Sequence, residues 1–234
     1  AGGRPKCYSQ VRAALIGKSG IEIGGPSEVF RRWFNLPIYD FVSTLDNCDF
    51  SQNTTWRSHS DSYNFSDRRP KGRTYFSEGT CLKEVSTGKY DFLLSSHNLE
   101  HVANPIKALK EWQRVVRPGG FLVLVLPHYA RTFDHRRRPT SVEHMVADYL
   151  AGVGEEDLTH VDETFAAHRL NPGSMDDDAL RQLLLDHLSH RMMHHHVFDE
   201  FNSKALLEST GLRVISVDMQ LPFHIFIFAQ FPTK

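Results

Sequence analysis

The sequence predicts an α/β fold, a doubly wound and mostly parallel sheet, and three observations carry that expectation. A short apolar stretch, Ile21-Glu22-Ile23, runs into Gly24-Gly25 and then a helix start. Two strand-like segments, 90–95 and 121–126, flank a well-punctuated amphipathic segment. A further helix near the C-terminus precedes two more apolar stretches. Alternating strands and helices of this kind build a sheet covered on both faces.

In order along the chain, Ser9 can cap a short helix reaching Ile16. Residues 21–23 form the first strand. Pro26 and Ser27 open a helix over 28–34, since proline suits a first helical turn. Residues 41–45 read as the second strand, with Asp46 just past it. Residues 47–74 are polar and aperiodic, with Trp56, Tyr63 and Phe65 as anchors. YDFLLS at 90–95 is a buried-type strand. Asn104 caps the next helix, Pro105 fills its first turn, and Ile106, Leu109, Trp112, Val115 and Val116 make one apolar face. The continuous apolar run 121–126 suits a strand covered on both sides.

After His128 the pattern breaks. Residues 129–197 read as a mainly helical insertion within a single domain spanning 1–234. Thr140 and Glu143 suggest a capping box ahead of Val142, Met145, Val146 and Tyr149, and Asp176–Asp178 precede a helix bearing Leu180, Leu183, Leu184 and Leu188. The pattern resumes with a helix over 199–210, stopped by Gly211. Strands over 212–218 and 223–230 follow, close enough to pair antiparallel.

Composition bounds the function. The 234 residues are 40% hydrophobic and 24% charged, enough to bury a core. Lys and Arg total 27 against 28 Asp and Glu, a net charge of −1, which disfavours a dedicated nucleic-acid binder. No apolar run reaches the roughly 18 residues of a membrane span. Cys7, Cys48 and Cys81 share no metal-type spacing and read as reduced thiols. The first residues lack the pattern of a secretory leader, so a cytoplasmic location is expected.

The strand–glycine–helix segment lets a ligand approach the backbone closely, and Asp46, at the end of the next strand, can accept both hydroxyls of a ribose. The segment YDFLLSSHNLEHVANPIKALKEWQRVVRPGGFLVLVLP resembles the central signature of class I S-adenosylmethionine-dependent methyltransferases of the small-molecule, type 11 kind. The resemblance covers about residues 20–128 and the closing elements from 198 onward. It implies a Rossmann-like sheet of seven strands with an antiparallel last strand, and S-adenosyl-L-methionine as cofactor. It also implies that Glu22, Gly24 and Gly25 lie along the methionine part of the cofactor, that Asp46 holds the ribose, and that Glu78 or Gly79 sits near the adenine. Ser96, His97 and Asn98 would face the reactive sulfonium. Asp40 is a rival for the ribose. The chain departs from the family where Pro26 or Ser27 replaces a further glycine, at the turn of that loop.

Fourteen histidines, ten of them between His128 and His196, add a second theme. Methyl transfer to a hydroxyl needs a base, and an imidazole titrates near neutrality. His97 and His128 stand at strand ends, with His160 and His195 as further candidates from the insertion; His101 reads as structural. Three readings of the insertion stay open: a lid binding polar groups, a divalent-metal site, or a scaffold stitched by histidines. No metal ligand set is assigned. Asp134-His135 with Arg136–Arg138 could bind an anionic or polyol substrate. The expected activity is O-methylation of a small molecule bearing a sugar-like or other hydroxyl. A catalytically inactive binding domain is the alternative. A dinucleotide oxidoreductase is disfavoured, because the third glycine of a pyrophosphate turn is missing.

Overall fold

The computed structural model describes residues 3–54, 58, 60–168 and 175–234. Its eight strands form one mixed sheet in the order β3-β4-β2-β1-β5-β6-β8-β7. They are β1 (Ser19–Ile23), β2 (Thr44–Asp49), β3 (Ser62–Tyr63), β4 (Gly72–Phe76), β5 (Tyr90–Ser96), β6 (Val116–Pro127), β7 (Arg213–Gln220) and β8 (His224–Gln230). Strands β4, β2, β1, β5 and β6 are parallel, while β8 runs antiparallel to both β6 and β7. The sheet thus has one strand more than the seven expected. The extra one is the two-residue β3, antiparallel to β4, drawn from the polar excursion. It carries no apolar alternation to announce it. Of the expected anchors there, Tyr63 and Phe65 are buried and Trp56 lies outside the described residues.

Alternate residues of the central strands supply two cores. Leu122, Leu124 and Leu126 face one side with Ile225 and Ile227; Val123 and Val125 face the other with Phe226 and Phe228. The first side is covered by α2 (Pro105–Val115), α3 (Val142–Ala151) and α7 (Glu200–Ser209). Helix α2 starts where its sequence says, the Asn104 side chain accepting the Lys107 N–H at 3.0 Å. The second side is covered by α1 (Tyr8–Leu15) and by residues 29–42, which form no α-helix. Only a 3-10 turn at Glu28–Phe30 stands where a helix over 28–34 was expected. The reason is the spacing. Val29 and Phe30 are buried, whereas Trp33 and Phe34, one helical turn further on, are exposed, so burial does not repeat at helical spacing over 28–34.

The insertion holds α3, α4 (Val161–His168), α5 (Asp177–Leu185) and α6 (His187–His190) between β6 and α7. The cap of α3 is Ser141, whose hydroxyl accepts the His144 N–H at 3.2 Å, and not Thr140. Thr140 Oγ1 instead accepts the Val197 N–H. Among the described residues no helix is long and apolar enough to cross a membrane.

Candidate functional site

Strand order reverses between β1 and β5, and a cavity of about 440 Å³ opens there, at the C-terminal ends of the parallel strands. It is bounded by the loop after β1, by Cys48 and Asp49 of β2, by Ser77–Thr80 after β4 and by Ser96–Asn98 at the end of β5. Phe223 and His224 close it from the start of β8. Among its described residues the insertion adds Glu155 and Arg191.

The loop after β1 is built around Glu22. Its carboxylate is buried and accepts from Tyr39 Oη (2.7 Å), Tyr63 Oη (2.6 Å), Ser27 Oγ (2.6 Å) and the Ser27 N–H (3.1 Å). Burial pushes its pKa up, against the pull of those donors. Gly24 has φ +76°, and a Cβ there would come within 2.9 Å of the Asn98 amide. A Cβ on Gly25 would stand 2.3 Å from Tyr63 Oη and 2.5 Å from the Glu22 carboxyl carbon. The loop therefore needs both glycines. Its N–H groups are spent internally: Gly24 donates to Cys48 O, Gly25 to Asn47 Oδ1 and Ser27 to Glu22. The ligand-facing helix start expected here is absent. Glu22 and Gly25 support the loop from behind, whereas Gly24 lines the cavity.

Asp46 does not reach the cavity. Strand β2 begins at Thr44 rather than Phe41, so Asp46 sits inside it and accepts from the Arg73 N–H (2.8 Å), Tyr90 Oη (2.7 Å) and Lys89 Nζ (3.1 Å). The acid at the strand end is Asp49, which lines the cavity. Asp40 lies outside it, near Arg32. The signal for Asp49 was a second acid three residues along the same strand.

Glu78 and Gly79 line the far end. Trp112 Nε1–H donates to Gly79 O at 2.9 Å and fixes that loop to α2. Arg191 bridges Glu78 and Glu155 and lies over the Phe50 ring, 5.0 Å from its centroid. Burial raises the Glu155 pKa to about 7; Arg191 opposes the rise and Glu78 adds to it.

At the other end stands His97, directly after β5, with φ +50°. Few non-glycine residues adopt that conformation. Its N–H donates to Val125 O at 2.9 Å. Its ring meets His224, Nε2 to Nδ1 at 2.9 Å, and its Nδ1 lies 3.6 Å from Glu100 Oε1. Burial pushes Glu100 up, but His97, His101 and His194 around it outweigh that and hold its pKa below the usual value. Burial lowers His224 to about 4 and His101 to about 4. His101 Nδ1–H donates to Met193 O at 3.1 Å, tying the insertion down.

The remaining sequence candidates lie elsewhere. His128 pairs with Glu200 at 3.1 Å, His160 with Glu163 at 2.6 Å, and the buried His195 with His187 at 3.0 Å; none lines the cavity. Asp134 and Arg137 form a buried ion pair at 2.8 Å, and Arg137 also binds Glu163 and His194 O. That arginine braces the insertion and is not placed to bind a substrate in the cavity.

A family model described as a methyltransferase domain matches residues 13–217. No curated protein matches the chain. Among solved structures, it resembles an S-adenosylmethionine-dependent methyltransferase from Methanosarcina mazei, with a TM-score of 0.54 at 14% identity over 97% of this chain and 99% of that one. An S-adenosylmethionine-dependent methyltransferase from Mesorhizobium loti gives 0.51 at 14% over 96% and 97%. The 1,6-didemethyltoxoflavin-N1-methyltransferase of Burkholderia thailandensis gives 0.51 at 11% over 97% and 79%, and its structure holds 1,6-didemethyltoxoflavin and S-adenosylhomocysteine. At such identities these likenesses speak for the fold. The family match spans most of the chain, and the cavity stands at the switch point where the fold places its ligands: the chain belongs to the class I methyltransferases and is an enzyme of that family with S-adenosylmethionine as its cofactor.

Proposed function

We propose that the enzyme methylates a hydroxyl of a small molecule, with His97 and His224 as the proton-accepting pair. The observation that carries this is the placement of His97: a left-handed residue at the end of β5, ring-to-ring with His224, both lining the cavity.

The residues present fit the cofactor. Asp49 offers a carboxylate for vicinal hydroxyls, and Glu78, Gly79 and Thr80 surround the end suited to a purine. Glycine at 24 leaves open the space beside Asn98 that a Cβ would fill. Since the loop amides are already used, Asn98 and Ser96 are the polar groups left to hold the amino-acid end. The bound cofactor supplies a methyl group on an electrophilic sulfonium.

The chain's own residues then align the acceptor and take its proton. The Glu100 carboxylate, 3.6 Å from His97 Nδ1, favours the tautomer with the proton there, which leaves His97 Nε2 to accept from His224 Nδ1–H. The lone pair on His224 Nε2 receives the hydroxyl proton, and the positive charge is shared with His97 beside Glu100. Phe34 and Phe223 give the acceptor an apolar face, and Asn35 and Glu28 give it polar contacts. The sugar-like preference rests on these groups and not on the insertion's histidines, which lie outside the cavity. The insertion covers the adenine end through Arg191 and Glu155.

The test is a panel of hydroxyl and amine acceptors with the cofactor, read by mass spectrometry of the product. The expected result is methyl ether formation by the wild type and a loss of at least about 100-fold in kcat for His97→Gln and His224→Gln. Full turnover by either variant, or products methylated only at nitrogen, would overturn the assignment.

A further inference from the structure

Four side chains of the insertion converge outside the cavity. His144 and Asp148 lie one turn apart on α3, the i, i+4 spacing that puts two ligands on one helix face. His160 immediately precedes α4, and His196 comes from the buried segment ahead of α7. His144 Nε2 is 3.3 Å from His160 Nε2 and 3.4 Å from Asp148 Oδ2. Asp148 Oδ2 is 3.9 Å from His196 Nε2. The three imidazole centroids stand 5.2, 5.9 and 6.0 Å apart, nearly an equilateral triangle. A tetrahedral zinc ion with bonds of about 2.0–2.1 Å sets its donor atoms about 3.3 Å apart. Of the six edges such a site needs, His144–His160 and His144–Asp148 already have that length and Asp148–His196 needs a shift of about 0.6 Å; the donor atoms of His144, Asp148 and His196 lie within 4.8 Å of one another, and His160 stands outside that group, in reach of His144.

Hydrogen bonds alone leave this cluster incomplete. Asp148 Oδ2 is shielded from solvent and has no hydrogen-bond partner, and His196 Nδ1 is also buried without one. An orphaned buried acceptor destabilises the fold unless something binds it. The ring of His160 is already oriented as a ligand. Its Nδ1 lies 2.6 Å from Glu163 Oε1, so Nε2 carries the lone pair toward the cluster. Glu163 is in turn held by Arg137 Nη2 at 2.6 Å. Carboxylate support of this kind is what metal-bound histidines receive. Two neighbouring clusters are less suited: Glu155 beside His187 and His195 is engaged by Arg191, and His194 beside Glu100 and His101 is engaged by Asp134.

We propose that His144, Asp148, His160 and His196 bind one zinc-type divalent cation. Three imidazoles and one carboxylate suit zinc, whereas calcium and magnesium prefer all-oxygen shells. With four protein ligands the site is closed, hence structural. It joins α3, the start of α4 and the 192–197 segment next to α2, whose cap Asn104 donates to Asp148 O at 3.3 Å. The ion therefore fixes the part of the insertion that delivers Glu155 and Arg191 to the cavity. The site takes no part in methyl transfer and does not depend on which acceptor is methylated. His144 is 44% exposed and provides the entry path.

The test uses the full chain stripped with a chelator, then titrated with cobalt(II) and with zinc. Expected are one equivalent bound, the intense visible bands of tetrahedral cobalt, their loss on adding zinc, and a rise in Tm of several degrees with zinc. His144→Ala and Asp148→Asn should abolish the bands while keeping the wild-type far-ultraviolet circular dichroism; His187→Ala should keep the bands. His144 and Asp148 are partly exposed, so these variants should fold. No saturable binding, octahedral-type weak bands, or bands lost in His187→Ala but kept in His144→Ala would each overturn the assignment.

Discussion

Glu22 is the residue on which the cofactor-side loop depends, and its removal can be worked through. In Glu22→Ala, the hydroxyls of Tyr39 and Tyr63 lose the acceptor they share, at positions 2% and 3% exposed. Each orphaned donor costs about 1–3 kcal/mol. Ser27 loses two bonds but is partly solvated and can turn to water. Relief from burying a carboxylate, whose pKa burial has raised, returns part of the loss. The net cost is about 3–5 kcal/mol, a fall in Tm of about 6–20 °C for a chain of this size. The sharper readout is a double-mutant cycle. Tyr39→Phe alone gives up a bond to a carboxylate, about 1.5–3 kcal/mol. Combined with Glu22→Ala, the same substitution removes a hydroxyl that has lost that acceptor and keeps only the Ser27 N–H, which it accepts at 2.8 Å, so its cost should fall by at least half. Urea unfolding of the four proteins gives the coupling energy, expected above about 0.7 kcal/mol. If Tyr39→Phe costs the same in both backgrounds, the carboxylate is not what the tyrosine serves, and the account of the loop fails.

Three further outcomes follow from the geometry. Asp49→Asn should weaken S-adenosylhomocysteine binding at least about tenfold by calorimetry, while Asp46→Asn should lower Tm and leave that Kd within twofold; the reverse pattern would restore Asp46 to the ribose. Arg191→Met should release Glu78 and Glu155, raise the Kd for S-adenosylhomocysteine and increase amide exchange in α6, and an unchanged Kd would detach the insertion from the cofactor side. Acid should destabilise the fold. Burial holds His101 at about 4 and His187 at about 3, below the ordinary 6.5, so their neutral rings favour the fold above pH 6.5 and that contribution is lost as pH falls toward those values. By pH 5 each has given up about 2 kcal/mol, so Tm in chelator should drop by roughly 8–16 °C between pH 7 and pH 5, and His187→Gln should flatten the slope; a Tm independent of pH would contradict the burial of these rings.

The elements whose burial is uniform were legible from sequence. YDFLLS, the 121–126 run and β8 are largely apolar because both faces are covered, and α2 announces itself through Asn104 and Pro105. Residues 28–45 were misread because their apolar residues pack irregularly: Phe41 and Val42 belong to the layer beneath the sheet, not to β2. That shift of three residues puts Asp49, and not Asp46, at the end of β2 beside the cavity. Gly24, Glu78, Gly79, Ser96 and His97 reach the cavity because they sit at or just past the ends of parallel strands, where position along the chain implies position in space. His224 escaped notice although the same logic reaches it. Strand β8 runs antiparallel, so its first residue lies on the edge where the parallel strands end, as its pairing with Pro127 records.

The histidine-rich insertion resisted reading for a different reason. Its contacts are long-range: His194 meets Asp134, His196 meets Asp148, and His101 reaches Met193. No spacing rule links residues that far apart, and the local pairs, such as His144–Asp148, His160–Glu163 and Asp134–Arg137, do not say which of them meet. A stretch so rich in titratable groups looked like substrate chemistry. Its interior instead holds buried imidazoles, bonded to one another and to carboxylates, beside a small apolar core: among its described residues Val161, Leu180, Leu184 and Met193 cluster with Phe165, while Met145 of α3 joins the main core of the sheet. So small a cluster cannot hold α4, α5 and α6 by burial alone. The polar network, and the cation proposed within it, are what the insertion has in its place, and the acid sensitivity expected of His187 is the direct consequence of building an interior from rings that charge near neutrality.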